Sequence, residues 1–110
     1  MIDKSSTPDH AVIDFEQALD RTTAKKLIQG IVDDGSVVYS NHALEEMQKD
    51  RLTTVDVVNV LRGGVVDPAE RENGSWRYRV RTQKMYVVVV IRSETELKVV
   101  TAWKEKKGRS

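Results

Sequence analysis

Apolar positions in the first half of the chain recur at three- and four-residue intervals, whereas in the second half they alternate. Thr22 or Thr23 is suited to cap a helix running to about residue 33, with Leu27, Ile28, Ile31 and Val32 on one face and Gly35 as its stop. Ser36 to Tyr39 reads as a short extended link. Ser40 then caps a second helix to about residue 50, with Leu44 and Met47 facing inward. Thr53 or Thr54 caps a third over residues 55–61, ended by Gly63 and Gly64. A weaker pattern at Val12, Ile13, Phe15 and Leu19 suggests a short helix ahead of these. After Gly64 the period becomes two. Residues 65–71 form a first strand in which Pro68 marks an edge or a break, and residues 75–81, 85–92 and 97–104 form three stronger ones joined by short polar connections. The pattern predicts an α+β fold, with two to three N-terminal helices packed on one face of a four-stranded antiparallel sheet. Residues 1–20 are expected to be a flexible extension and residues 21–107 a single domain.

A length of 110 residues fits one domain, since a second core would be too small to hold itself. Apolar residues are 39% and charged residues 32%, which suits a thin two-layer architecture. The absence of cysteine rules out disulfides and thiolate ligands and fits a reducing compartment. The first 18 residues lack a basic segment followed by an apolar run, and the longest apolar run, residues 85–91, is too short to cross a bilayer. A cytoplasmic protein with no membrane partner is expected. The net charge of +1 conceals a division. Residues 71–110 carry 11 Lys and Arg against 4 Asp and Glu, a net of +7, and residues 1–70 carry 7 against 13, a net of −6. The C-terminal half therefore offers a positive field to an anionic partner such as RNA.

The period of two sharpens that picture. Trp76, Tyr78 and Val80 point to one face of their strand, and Arg77, Arg79 and Arg81 to the other. A two-residue turn at Gln83-Lys84 would set Arg81 opposite Tyr86, Arg79 opposite Val88 and Arg77 opposite Val90, with Lys84 and Arg92 extending the basic surface. Guanidinium forks match phosphate oxygens, and a phenol can stack on a base or exchange a proton. The plainer alternative is a solvent-facing strand whose arginines serve solubility. Whether Trp103 or Lys104 joins Tyr86 depends on the next hairpin, where one bulge would invert the faces. Core packing is the ordinary expectation for Trp103 and a solvated strand end for Lys104. His42, in the first turn of the second helix, is the only histidine inside the expected fold; it caps a turn or, in the rarer case, acts as a general acid or base. No second histidine lies at ligand spacing, and no phosphate-cradling or dinucleotide motif occurs, so no metal or cofactor is expected.

Residues 24–35, the run Val38-Tyr39-Ser40-Asn41-His42-Ala43, the helix at residues 53–64, the valine-rich hairpin and Val100-Thr101-Ala102-Trp103-Lys104-Glu105-Lys106 together resemble two related groups. One is a family of small bacterial domains of unassigned function with a Ser-x-His-Ala helix start. The other is the MqsR-type toxin family. Both are similar in layout to the RelE superfamily, in which helices cover one sheet face and the other cleaves RNA. The resemblance implies a metal-independent endoribonuclease toxin cleaving mRNA by 2′-hydroxyl attack and neutralised by a cognate antitoxin protein. Carried over by position, the family's tyrosine falls on Tyr86 and its terminal lysine on Lys104. Its strand glutamine is Arg77 here, and Glu46 stands where the first group has an arginine. On this reading Arg77, Arg79, Arg81, Lys84, Arg92 and Trp103 contact RNA, while Tyr86, Lys104, Arg81 and His42 are the catalytic candidates. Two other classes remain: a non-catalytic RNA- or protein-binding module, and a structural or partner domain in which the arginines pair with an acidic protein, or in which the acidic half serves a second copy in a homodimer.

Overall fold

A computed structural model of the chain describes residues 13–105. Among the described residues three helices, α1 (Arg21–Asp34), α2 (Asn41–Lys49) and α3 (Thr54–Gly63), accompany six strands. The strands are β1 (Ser36–Tyr39), β2 (Val65–Val66), β3 (Glu70–Glu72), β4 (Ser75–Arg81), β5 (Met85–Ser93) and β6 (Glu96–Lys104). They form one sheet in the order β1-β6-β5-β4-β2, with β3 also on β4.

The α+β class and the helical layer agree with the sequence pattern, but the sheet has six strands rather than four. Residues 36–39 are not a link: they pair with β6, and in parallel, so the sheet is mixed. Four residues carry too little pattern to be recognised as a strand; the parallel partner supplies the pairing. The expected first strand is divided in two around Pro68, which has no N–H to give to the ladder.

Each helix begins on a side-chain cap. Asp20, two and three residues ahead of the expected threonines, accepts a hydrogen bond from the Thr23 N–H at 2.8 Å. Ser40 accepts from the Ala43 N–H at 2.9 Å, and Thr53 and Asp56 cap each other reciprocally ahead of α3. Gly64 ends α3 where a Cβ would stand 2.7 Å from the Val60 carbonyl oxygen and 2.8 Å from that of Arg81. Only a glycine lets the helix close this tightly on β4.

The core lies between the helices and one sheet face. Ala24, Ile28 and Ile31 of α1, Ala43 and Met47 of α2, and Val57, Val60 and Leu61 of α3 meet Tyr78, Val80, Val87, Val89, Leu97 and Val99. Leu44, expected to face inward, is 46% exposed, and Ala43 takes its place. The expected helix near residues 12–19 does not form over the described part of that segment, which is a turn and a bend flanked by irregular chain. Three residues of that segment touch the domain. Phe15 and Leu19 pack on the core, the Trp76 indole N–H donates to the Glu16 carbonyl at 3.0 Å, and the Leu19 N–H donates to the Tyr78 hydroxyl at 2.8 Å. The rest of the expected extension, residues 1–12, falls outside the described residues. No helix among the described residues is long and apolar enough to cross a membrane.

Candidate nucleic-acid interface

The first hairpin has the register that its turn implies: Arg81 opposes Tyr86, Arg79 opposes Val88 and Arg77 opposes Val90. These residues lie on the sheet face away from the core. The second hairpin is decided by a bulge. Val89 pairs with Val99 but Val88 pairs with Thr101, so Val100 is an extra residue in β6. That insertion turns Trp103 onto the face of Tyr86, its direct partner. The rings stack with centroids 5.0 Å apart and planes 11° from parallel. The core-packing expectation for Trp103 is thereby corrected. Lys104 pairs instead with the buried Met85, pointing away from the Tyr86 face.

A groove of about 350 Å³ runs over this face. Its floor is Val88, Val100, Thr101 and Trp103; one wall is His42, and the other carries Arg77 and Arg79 with Asp67, Pro68, Glu70 and Glu72. His42 reaches it because β1 hydrogen-bonds along β6 and α2 starts directly after. The Ser40 N–H donates to the Val99 carbonyl at 2.9 Å, and the Ser40 hydroxyl donates to that of Val100 at 3.1 Å. At the far end Arg81 and Tyr86 share a shallower hollow with Glu105.

The arginines are less free than the charge count suggests. Asp67 accepts from Arg79 Nε at 2.8 Å and from Arg81 Nε at 3.0 Å. Arg77 lies 3.7 Å from Glu72, and Arg92 lies 3.4 Å from Glu96. The face is thus a mixed one, with acidic partners from both halves of the chain: Asp67 from the first, Glu72 and Glu96 from the second. The hydrogen bonds from Arg81, then that from Arg79, hold the Asp67 carboxyl below the usual carboxylate range against the effect of burial. Arg77 Nε is buried and makes no hydrogen bond among the described residues. The Arg79 guanidinium stands 5.6 Å from the Tyr86 ring centre, at cation–π range. The Tyr86 phenol is pushed above its ordinary value, chiefly by its hydrogen bond to the Glu105 carboxylate and next by burial, with Arg79 and Arg81 opposing. It therefore holds its proton at neutral pH.

Of the sequence-derived candidates, the structure brings together His42, Arg77, Arg79, Arg81, Tyr86 and Trp103. It leaves Lys104 and Lys84 apart, in a separate cavity with Arg51, Leu52 and Asp56 beside the β4–β5 turn. Arg92 is at the other end of the sheet, paired across the β5–β6 turn. Asp67, Thr101 and Glu105 have no counterpart among those candidates. A signal for Asp67 exists: an aspartate before proline on an edge strand, facing the arginine strand. Among the described residues no group of three or more His, Asp or Glu side chains is placed to hold a metal ion.

The chain belongs to the family described as a domain of unknown function, DUF4258, whose model matches residues 39–104. This agrees with the resemblance to small domains of unassigned function. The match spans α2 to β6, and with it the groove residues named above other than Glu105, but leaves out α1. No curated protein and no solved structure matches the chain.

Proposed function

We propose that this member of the family is an endoribonuclease of the RelE/MqsR type, acting on mRNA in the outer-face groove and restrained by a cognate antitoxin protein. The observation that carries the reading is the stack of Tyr86 on Trp103 beside Arg79, with Trp103 and Arg79 lining a groove that also holds His42. Unpaired RNA bases stack on such rings, and arginine forks take phosphate oxygens.

The chemistry needs only groups of the kinds present. His42 takes the proton of the ribose 2′-hydroxyl, whose oxygen attacks the adjacent phosphorus. The arginines offset the charge of the pentacovalent phosphate. The bond to the 5′-oxygen breaks and that oxygen takes the Tyr86 proton, which the Glu105 contact keeps in place. The products are a 2′,3′-cyclic phosphate and a 5′-hydroxyl.

Induced expression in a bacterial host, with RNA 5′ ends mapped, tests this. Wild type should arrest growth and yield discrete new 5′-hydroxyl ends. His42→Ala and Tyr86→Phe should each lower cleavage by about 10²- to 10⁴-fold, the usual worth of a general acid or base. Intact RNA with soluble wild-type protein, or undiminished cleavage by both variants, would refute it. A second reading, a non-catalytic RNA-binding module, is favoured by one feature: the charge of Arg79 and Arg81 is already shared with Asp67.

A further inference from the structure

Asp67 lies where the edge strand breaks. β2 pairs with Arg81 and Val80, and β3 resumes opposite Arg77. Between them the Asp67 N–H donates to the Arg79 carbonyl at 2.9 Å, which fixes its backbone against β4. Its side chain is turned onto the arginines and is only 13% exposed, whereas theirs are 47% and 42% exposed. Both carboxylate oxygens are engaged: one accepts from Arg81, the other from Arg79 and Arg81 together. Each arginine makes these bonds through Nε.

Two oxygens carrying one negative charge, held between two guanidinium groups, is also how arginines hold a phosphodiester. We propose that Asp67 is an intramolecular stand-in for phosphate: it fills the anion subsite made by Arg79 and Arg81, and a bound phosphodiester competes with it. This rests on the groove's binding a polyanion and is independent of whether the polyanion is cut. The carboxylate explains how two same-face arginines, two residues apart, are tolerated in the free protein, since their mutual repulsion is offset. It also lowers affinity, because a phosphate entering the fork meets a like charge. Asp67 thereby sets a threshold that only a ligand with several phosphates along the groove overcomes.

The test uses a single-stranded 2′-deoxyoligonucleotide of about a dozen nucleotides, which lacks the 2′-hydroxyl and cannot be cut by the proposed route. Binding is measured over a range of salt for wild type, Asp67→Asn and Asp67→Asn/Arg79→Ala/Arg81→Ala. Asp67→Asn should bind about tenfold tighter, the gain expected from one freed charge pair. Its log–log salt slope should steepen by about 0.7 for each further phosphate neutralised. The triple variant should lose both gains. Inorganic phosphate should raise the melting temperature of Asp67→Asn more than that of wild type. Equal or weaker binding by a folded Asp67→Asn, or no binding by any of the three, would overturn the proposal and leave Asp67 as a clamp that orients its arginines. If Asp67→Asn does not fold, the Arg79 and Arg81 Nε–H resonances of wild type decide: they should shift as the oligonucleotide is added, and unmoved signals in the bound protein would overturn it. Failure of RNA cleavage with these binding results intact would sink the nuclease reading alone.

Discussion

Strand β5 serves two surfaces with one run of residues. Met85, Val87, Val89 and Ile91 face the helices and are all at most 7% exposed, while Tyr86, Val88 and Val90 face the other side of the sheet and are only half-buried. Strand β6 divides in the same way, with Leu97, Val99 and Ala102 inside and Val100, Thr101 and Trp103 outside. The inner face contains no buried polar or charged residue among those described and is held by close packing. The outer face is a mixture of valines, stacked rings and ion pairs, most of them open to water. Substitutions on the first should therefore act on stability, and those on the second on binding and chemistry.

The largest effect belongs to the inner face. Leu97, fully buried, should cost about 3 kcal/mol when replaced by alanine, through lost transfer energy and the cavity left behind. Val100→Ala, three residues along the strand on the other face, should stay within about 0.5 kcal/mol. Urea unfolding of the two variants beside wild type measures this, and comparable losses would break the division between the faces.

The inner face was the more legible of the two in the sequence. A period of two over residues 75–104 is enough to assign Tyr78, Val80, Val87 and Val89 to one side, and the short turn fixed the register of Arg77, Arg79 and Arg81 against β5. The caps Ser40 and Thr53 were likewise visible, because each serves bonds within its own turn. What could not be read depended on distant partners. The bulge at Val100 shows no mark in the sequence, yet it decides that Trp103 rather than Lys104 joins Tyr86. Strand β1 exists through its pairing with β6, some sixty residues on. Asp67 belongs to the acidic half of the chain, so the net charge of each half carries no sign of the carboxylate that Arg79 and Arg81 share.

Trp103 lies between the two regimes and sharpens the comparison. It contributes an aromatic stack, worth about 1 kcal/mol, and part of a half-buried ring. Trp103→Ala should lower stability by roughly that amount, a third of the Leu97 effect, while removing most of the groove's affinity for single-stranded RNA, where a lost stacking platform is worth about 1–3 kcal/mol per base. Urea unfolding and filter binding on the same preparations give both numbers. A stability loss as large as that of Leu97→Ala would make the ring part of the core after all.

The smallest effect tests whether charge, rather than shape, stabilises the outer face. The Asp67 carboxyl is held below its usual range by its hydrogen bonds to Arg81 and Arg79. A carboxylate whose folded value is depressed adds stability that is complete above the unfolded value, about 3.9, and is lost as the pH falls through the folded one. Wild type should then be slightly more stable than Asp67→Asn at neutral pH, and the gap should close only below the ordinary carboxylate range. Other acidic groups titrate in both proteins and largely cancel in the difference. Urea midpoints measured for the pair from neutral pH down into strong acid follow the gap directly. A gap that kept its full size in strong acid would mean that Asp67 holds the edge strand by fit alone. The outer face would then be built on the same terms as the inner, and the arginine fork would have no charge to exchange with a ligand.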